Sequence, residues 1–330
     1  MEDANFAGIA GNKRLINNLR RSVVNGTNSH AYIIDGSKGI GKKRLANAFA
    51  KALLCQNASA DGDSCGVCLS CRTFDSGNNP DAFYVRPEET KNVGIKDIRK
   101  QIIKNMETKP YLYKFKIFIV ENAGEMMIQA QNGLLKTFEE PAPYGVIMLL
   151  ADNSRSLLPT ILSRAVLLKM KPLDFETVKM CVRERTGADE QTAHFCAAYS
   201  RGNIGRALSI IEDENFMETR RKITELLRGL YQKDIVDVML SAKMFDEYKE
   251  NMQDVFDIAE MWFRDVAVCA ETESEKHIIQ KDMTTAIKET AYQIGTERAL
   301  KGFDAARLAG RRLKSNGNFT MTMEMMLMQT

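Results

Sequence analysis

The feature that most constrains this chain is a glycine-rich turn set between two opposite hydrophobic periodicities. Residues 31–35, Ala-Tyr-Ile-Ile-Asp, form a short apolar run of strand length. Gly36-Ser-Lys-Gly-Ile-Gly41-Lys42 follows, and apolar residues then recur at helical spacing at Leu45, Phe49, Ala52 and Leu53. A G-x-x-x-x-G-K turn in that context reads as a phosphate-binding loop. Gly36, Gly39 and Gly41 let backbone N–H groups turn inward, the next helix offers its positive N-terminus, and Lys42 reaches the outer phosphates. The competing reading is a plain strand-to-helix turn, which the placement between strand and helix weighs against.

Further short apolar runs at 82–85, 116–120, 146–151 and 166–169 predict four more strands. Between them the pattern predicts helices at 94–106, at 127–140, stopped by Pro141, and at 159–163, started by Pro159. Five strands alternating with helices imply an α/β domain with a parallel sheet covered on both faces. After Lys171-Pro172-Leu173 strand signals vanish and amphipathic helices follow one another. The expected division is a nucleotide-binding domain over 1–171, a small helical lid over 172–212 and an all-α domain over 213–330, with Gly202, Asn203 and Gly205 breaking the helical run. A stripe of Val255, Ala259, Trp262 and Val266 reads as helical core, and the methionine-rich end at 321–328 reads as a last core helix, a partner surface being the other reading.

Composition excludes more than it identifies. With 44% hydrophobic and 27% charged residues the chain has the make-up of a folded globular protein. A net charge of +3 is too small for bulk electrostatics to argue nucleic-acid binding, so any such contact is a local patch. No apolar run approaches the roughly 20 residues that span a bilayer, and residues 1–14 show no secretion signal, so a soluble cytoplasmic protein is expected.

The loop departs from a hydrolytic one at two independent places. The residue after Lys42 should be Ser or Thr, whose hydroxyl binds magnesium, and here it is Lys43, whose ammonium cannot ligate a cation. The strand at 116–120 should end in an acidic pair, one residue for the metal and a Glu for the attacking water; it ends in Glu121-Asn122. Glu121 keeps a carboxylate one methylene further out, but the neutral amide of Asn122 cannot take a proton. Glu125, Glu139 and Glu140 are the remaining candidates for a base, on the following turn and helix. The expectation is phosphate binding without hydrolysis.

Four of the seven cysteines crowd into C-x9-C-x2-C-x2-C: Cys55, Cys65, Cys68 and Cys71. Two C-x2-C steps allow one turn to present three thiolates at metal-bonding distance, and the longer arm brings the fourth from the end of the preceding helix, which suits tetrahedral zinc. A redox pair is the weaker reading, because such motifs use one pair at a helix start. Cys181, Cys196 and Cys269 lie in helical stretches and read as buried apolar thiols, and none of the three histidines has metal-like spacing.

The degenerate strand is followed by Met126, Gln129-Ala-Gln-Asn132, Leu134-Leu-Lys-Thr-Phe-Glu-Glu-Pro141 and Leu157-Leu-Pro-Thr-Ile-Leu-Ser-Arg164. This sequence resembles the AAA+ subunits of bacterial sliding-clamp loaders. The likeness runs from Phe6-Ala-Gly-Ile-Ala-Gly-Asn12 and His30-Ala-Tyr32 to Asn316-Gly-Asn318 and Met323-Glu-Met-Met-Leu327. It implies an AAA+ domain, a lid and a C-terminal collar that joins subunits. By the same resemblance Ser163-Arg164-Ala165 corresponds to a Ser-Arg-Cys motif, making Arg164 an arginine finger that acts in trans on a neighbour's ATP. Ala165 departs from that motif, and the competing reading of Arg164 is a surface arginine capping a helix. Asn153 corresponds to a polar sensor, and Gly202-Asn-Ile-Gly-Arg206 to a second sensor that sets Arg206 near phosphates held by this chain's loop. The cysteine insertion also occurs in that family. The resemblance implies gamma/tau motor and delta subunits as partners in a hetero-pentamer, with the sliding clamp and primer-template DNA reached through the complex. An active motor ATPase of the same family is the rival reading, and Lys43 and Asn122, where a motor carries Thr and Glu, argue against it. A free-standing P-loop kinase is opposed by the all-helical second half.

Overall fold

The computed structural model describes residues 4–88, 91–232, 234–315 and 317–330. The first three residues, and Asn316 of the C-terminal Asn-Gly-Asn stretch, lie outside them. The first half builds a five-stranded sheet from β1 (Ala31–Asp35), β2 (Ala82–Val85), β3 (Lys116–Val120), β4 (Gly145–Ala151) and β5 (Val166–Lys169), in the order β2-β3-β4-β1-β5. Every neighbouring pair is parallel. This is the α/β fold with a five-stranded parallel sheet expected above, with β4 starting one residue earlier than its apolar run.

Period-two alternation divides the sheet's side chains between two cores. Ile117, Ile119, Val146, Met148 and Leu150 pack on the face carrying Leu45, Phe49 and Leu53, whereas Phe118, Val120, Ile147, Leu149 and Ala151 pack on the face carrying Ile98, Leu134 and Phe138. Buried on both faces, β3 and β4 are continuous apolar runs, as parallel central strands require. Removing one such Ile or Leu side chain would cost about 2–5 kcal/mol. β5 is the edge beside β1, and its Val166 and Leu167 are exposed.

The predicted helices fall where the pattern put them, with two differences, and Lys13–Asn25 and Leu69–Asp75 add helices that the pattern did not single out. The helix Lys42–Leu54 buries every residue from Leu45 to Leu54, Lys51 included, because it is covered on all sides and not along one stripe. Lys51 is neutralised by Asp75 at 2.6 Å. The helical stretch predicted at 94–106 runs as Ile95–Asp97, a π-helical segment Ile98–Ile103 and Lys104–Met106, so one wide turn interrupts it.

Two compact units result. Residues 1–181 with 201–206 form the first, and 182–200 with 207–330 the second. The boundary falls inside the helix Phe175–Thr186, and the glycine-bearing break at 201–206 belongs to the first unit. Every regular element among the second unit's described residues is a helix. Its longest members are Met252–Thr272 and Thr284–Lys314, the latter kinked at Gly295, with Val255, Ala259, Trp262 and Val266 buried as expected. The last helix, Phe319–Met328, buries Met323, Met326 and Leu327 and exposes Met321 and Met328.

Candidate functional site

In a parallel sheet a ligand site forms beyond the carboxyl ends of the strands, where the strand order reverses. Here β1 lies between β4 and β5, and the Gly36–Lys42 turn leaves its carboxyl end beside Glu121-Asn122 after β3 and Asp152 after β4. A cavity of about 840 Å³ opens there, lined among others by Gly39, Gly41, Lys42, Lys43, Glu121 and Asn122. Gly39 and Gly41 stand at φ 85° and 103°, a left-handed backbone that side-chain-bearing residues adopt only under strain. The first intrahelical bond of Lys42–Leu54 runs from the Leu45 N–H to the Gly41 carbonyl, so the N–H groups of residues 42–44 have no acceptor within the helix.

The Lys42 ammonium is bound back onto the loop. It donates to the carbonyls of Gly36 at 2.5 Å and Ser37 at 3.0 Å and to Asp152 Oδ1 at 2.6 Å, which engages all three of its donors. Residues 201–206 brace the loop from outside. Asn203 Nδ2 donates to the Lys38 carbonyl at 2.6 Å, and the Gly205 N–H donates to the Gly39 carbonyl at 3.0 Å. A Cβ on Gly205 would stand 2.5 Å from that carbonyl oxygen, so only glycine fits. Arg206 follows directly, its N–H bound to Asn203 Oδ1, but it does not line the cavity.

The two positions where the sequence pattern expects magnesium contacts hold each other. Lys43 Nζ pairs with Glu121 Oε1 at 2.8 Å, and the same ammonium lies 5.9 Å from the centroid of the Tyr84 ring. Burial and the nearby Glu121 carboxylate push the Tyr84 hydroxyl up to about 12, Arg86 opposing them, and that hydroxyl donates to Asn47 Oδ1 at 3.0 Å. Asn122 takes a left-handed conformation at φ 51°, tolerated by Asn better than by most residues. Glu121 and Asp152 are the acidic side chains lining the cavity among the described residues; Glu125, Glu139 and Glu140 are not part of it.

Two sequence-derived candidates stand elsewhere. Asn153 is exposed and outside the cavity lining, where its Oδ1 accepts from the Arg155 N–H and caps the turn Ser154–Ser156. Its neighbour Asp152 meets Lys42 instead; the available signal was a carboxylate closing the apolar run of β4. Arg164 follows the short helix Pro159–Leu162, donates to the Thr160 carbonyl at 3.1 Å and pairs with Glu139 at 2.9 Å. The capping contact is therefore present. Both partners of the Glu139 pair remain partly exposed, which keeps it weak.

The cysteines converge. The sulfurs of Cys55, Cys65, Cys68 and Cys71 all lie within 4.8 Å of one another. Three of the separations are 3.9 Å for Cys55–Cys68, 4.0 Å for Cys65–Cys71 and 3.7 Å for Cys55–Cys71. Sulfurs bound at about 2.3 Å around one tetrahedral ion stand roughly 3.8 Å apart, so the group has the dimensions to hold a metal. Burial resists a thiolate at Cys65, but N–H groups of Cys68 and Val67 bring its thiol down to about 6; burial holds Cys71 up. The insertion is anchored through buried Asp63, which accepts from the N–H groups of Phe6 and Ala7 at 3.1 Å and from Arg20 at 2.8 Å.

Residues 11–174 match the family model described as DNA polymerase III, delta subunit. The DNA polymerase III subunit delta' of Bacillus subtilis (strain 168) is 28% identical over 320 residues, covering 94% of this chain and 93% of that protein. The subunit delta' of Pseudomonas aeruginosa is 39% identical over 139 residues, covering 42% of each. The subunit tau/gamma of Haemophilus influenzae is 26% identical over 277 residues, covering 81% of this chain but 40% of that longer protein.

Proposed function

The chain belongs to the family of DNA polymerase III clamp-loader subunits, and from that premise we propose that it is a non-hydrolysing member whose Arg164 completes the ATP site of a neighbouring motor subunit. The observation that carries this reading is the Lys43–Glu121 pair. The two positions where a hydrolytic loop holds magnesium carry a lysine and a glutamate that are spent on each other at 2.8 Å, and Asn122 beside them cannot act as a base. A reaction that depends on metal positioning and charge stabilisation has lost both supports.

Arg164 acts outward. Its partly exposed guanidinium is held by the Thr160 carbonyl, Ser163 Oγ and a weak pair with Glu139, surface contacts for which a neighbour's phosphates can compete. Gly36, Gly39, Gly41, Lys42 and Lys43 form the phosphate cradle for ATP or ADP that is bound without being cleaved, with Arg206 on the lid side and Asn153 as a vestige of the sensor. The metal of the cysteine group is zinc. Its role is structural, since four protein thiolates leave no position open for a substrate.

The partners in this reading are gamma/tau motor subunits and a delta subunit in a hetero-pentamer, which meets the sliding clamp and primer-template DNA as a whole. Residues 172–212 serve as the lid and 213–330 as the collar. The helix Ile235–Ala242 supports the collar role, because Ile235, Val236, Met239 and Leu240 are exposed on it.

The purified chain is expected to release no phosphate from ATP with magnesium. Mixed with motor and delta subunits it should form a stable assembly with DNA-stimulated ATPase activity, which Arg164→Ala lowers by about tenfold or more. Normal turnover with Arg164→Ala would remove the finger, and brisk turnover by the chain alone would make it an active motor.

A further inference from the structure

We propose that the Lys43 ammonium, steered by Glu121, is a built-in replacement for the magnesium ion, so that the phosphate loop takes nucleoside di- and triphosphates without a metal. This rests on the reading of residues 36–43 as a phosphate site and goes beyond the loss of hydrolysis. A lysine at this position could simply block the loop, and three observations argue that it serves the ligand instead.

The first is where the pair sits. Lys43 opens the helix Lys42–Leu54, Glu121 ends β3, and both line the cavity at the mouth of the loop, so the ammonium stands between the two elements a magnesium ion would bridge. The second is which donors are committed. Lys42 is nearly covered, at 11% side-chain exposure, with three acceptors for its three donors, whereas Lys43 is 52% exposed and Glu121 takes one of its three. A phosphate oxygen can therefore join Lys43 without displacing Glu121. The Tyr84 ring stands beneath the ammonium and limits where it can swing.

The third is charge. Among the described residues the cavity lining has five basic side chains against two acidic ones, a surplus that suits a bare polyphosphate better than its less anionic magnesium complex. A divalent ion approaching Glu121 meets the Lys43 ammonium first and is repelled. The loop's glycines and the helix N-terminus remain as in a metal-using site, so phosphate geometry survives while the cation is supplied covalently.

The test is titration of ADP and ATP into the purified full-length chain by calorimetry, once with magnesium and once with excess EDTA. Affinities in the two conditions should agree within about threefold. Lys43→Thr should weaken binding in EDTA by about tenfold or more and weaken it less with magnesium, since a hydroxyl restores a metal ligand. Glu121→Gln should tighten binding in EDTA by releasing the ammonium. Binding that requires magnesium, binding absent in both conditions, or an equal loss for Lys43→Thr in both would overturn the inference. None of these outcomes bears on Arg164, whose role is read from ATP turnover of the assembled loader.

Discussion

The phosphate loop and the cysteine insertion lie one after the other in the chain, joined by the helix Lys42–Leu54, and they treat a cation in opposite ways. In the insertion four sulfurs from 55 to 71 converge within 4.8 Å. Such a cluster is stable as thiolates only around an added ion. In the loop the acidic position is retained as Glu121, but a lysine from the neighbouring element balances it at 2.8 Å. On the proposed reading one region is completed by an ion from outside and the other by a lysine from within. On that reading a metal-binding motif is lost without the cation's place being lost.

Three measurements break or sharpen this contrast. The largest effect belongs to Cys68→Ser. Metal analysis should fall from about one ion per chain to none, with a loss of folding stability of about 3 kcal/mol or more, seen as proteolysis of the segment 55–71. Equal metal content and equal resistance in the variant would make the insertion self-supporting, like the loop. A middle effect belongs to Gly205→Ala, whose methyl would meet the Gly39 carbonyl oxygen at 2.5 Å. Thermal or denaturant unfolding should register about 1–3 kcal/mol of destabilisation, with weaker phosphate binding because the brace at 201–206 is pushed away. No change would mean the loop holds its shape without that brace. The smallest belongs to Lys43→Thr: a pair exposed at 52% and 39% contributes at most about 1 kcal/mol to stability, so denaturant midpoints should barely move. A large loss would make Lys43 a structural residue and end its role as a substitute cation.

Much of this molecule was legible in the residues. All five strands, the all-helical second half, the core stripe through Trp262 and the cysteine group follow from spacings of two to about ten residues, which local geometry converts directly into faces and turns. The π-helical segment Ile98–Ile103 was not legible, since buried Ile98 and Ile102 keep a spacing that an ordinary helix also satisfies. Nor was the pairing of Arg164 with Glu139; both residues were singled out, but as a finger and as a candidate base.

What the sequence determined by itself was which chemistry could stand at each end of each element: glycines where the backbone must turn left-handed, a lysine where a hydroxyl belongs, an amide where a base belongs, four thiols in one short stretch. What only the tertiary structure decided was who meets whom across the chain. Lys42 finds Asp152 110 residues away and Asn203 finds the Lys38 carbonyl 165 residues away, choices no periodicity encodes. Lys43 and Glu121 belong to the same class. Hydrophobic pattern specifies which face of a strand or helix is buried, but the partner at its polar end is set by the order of strands in the sheet, which brings the ends of β1, β3 and β4 together.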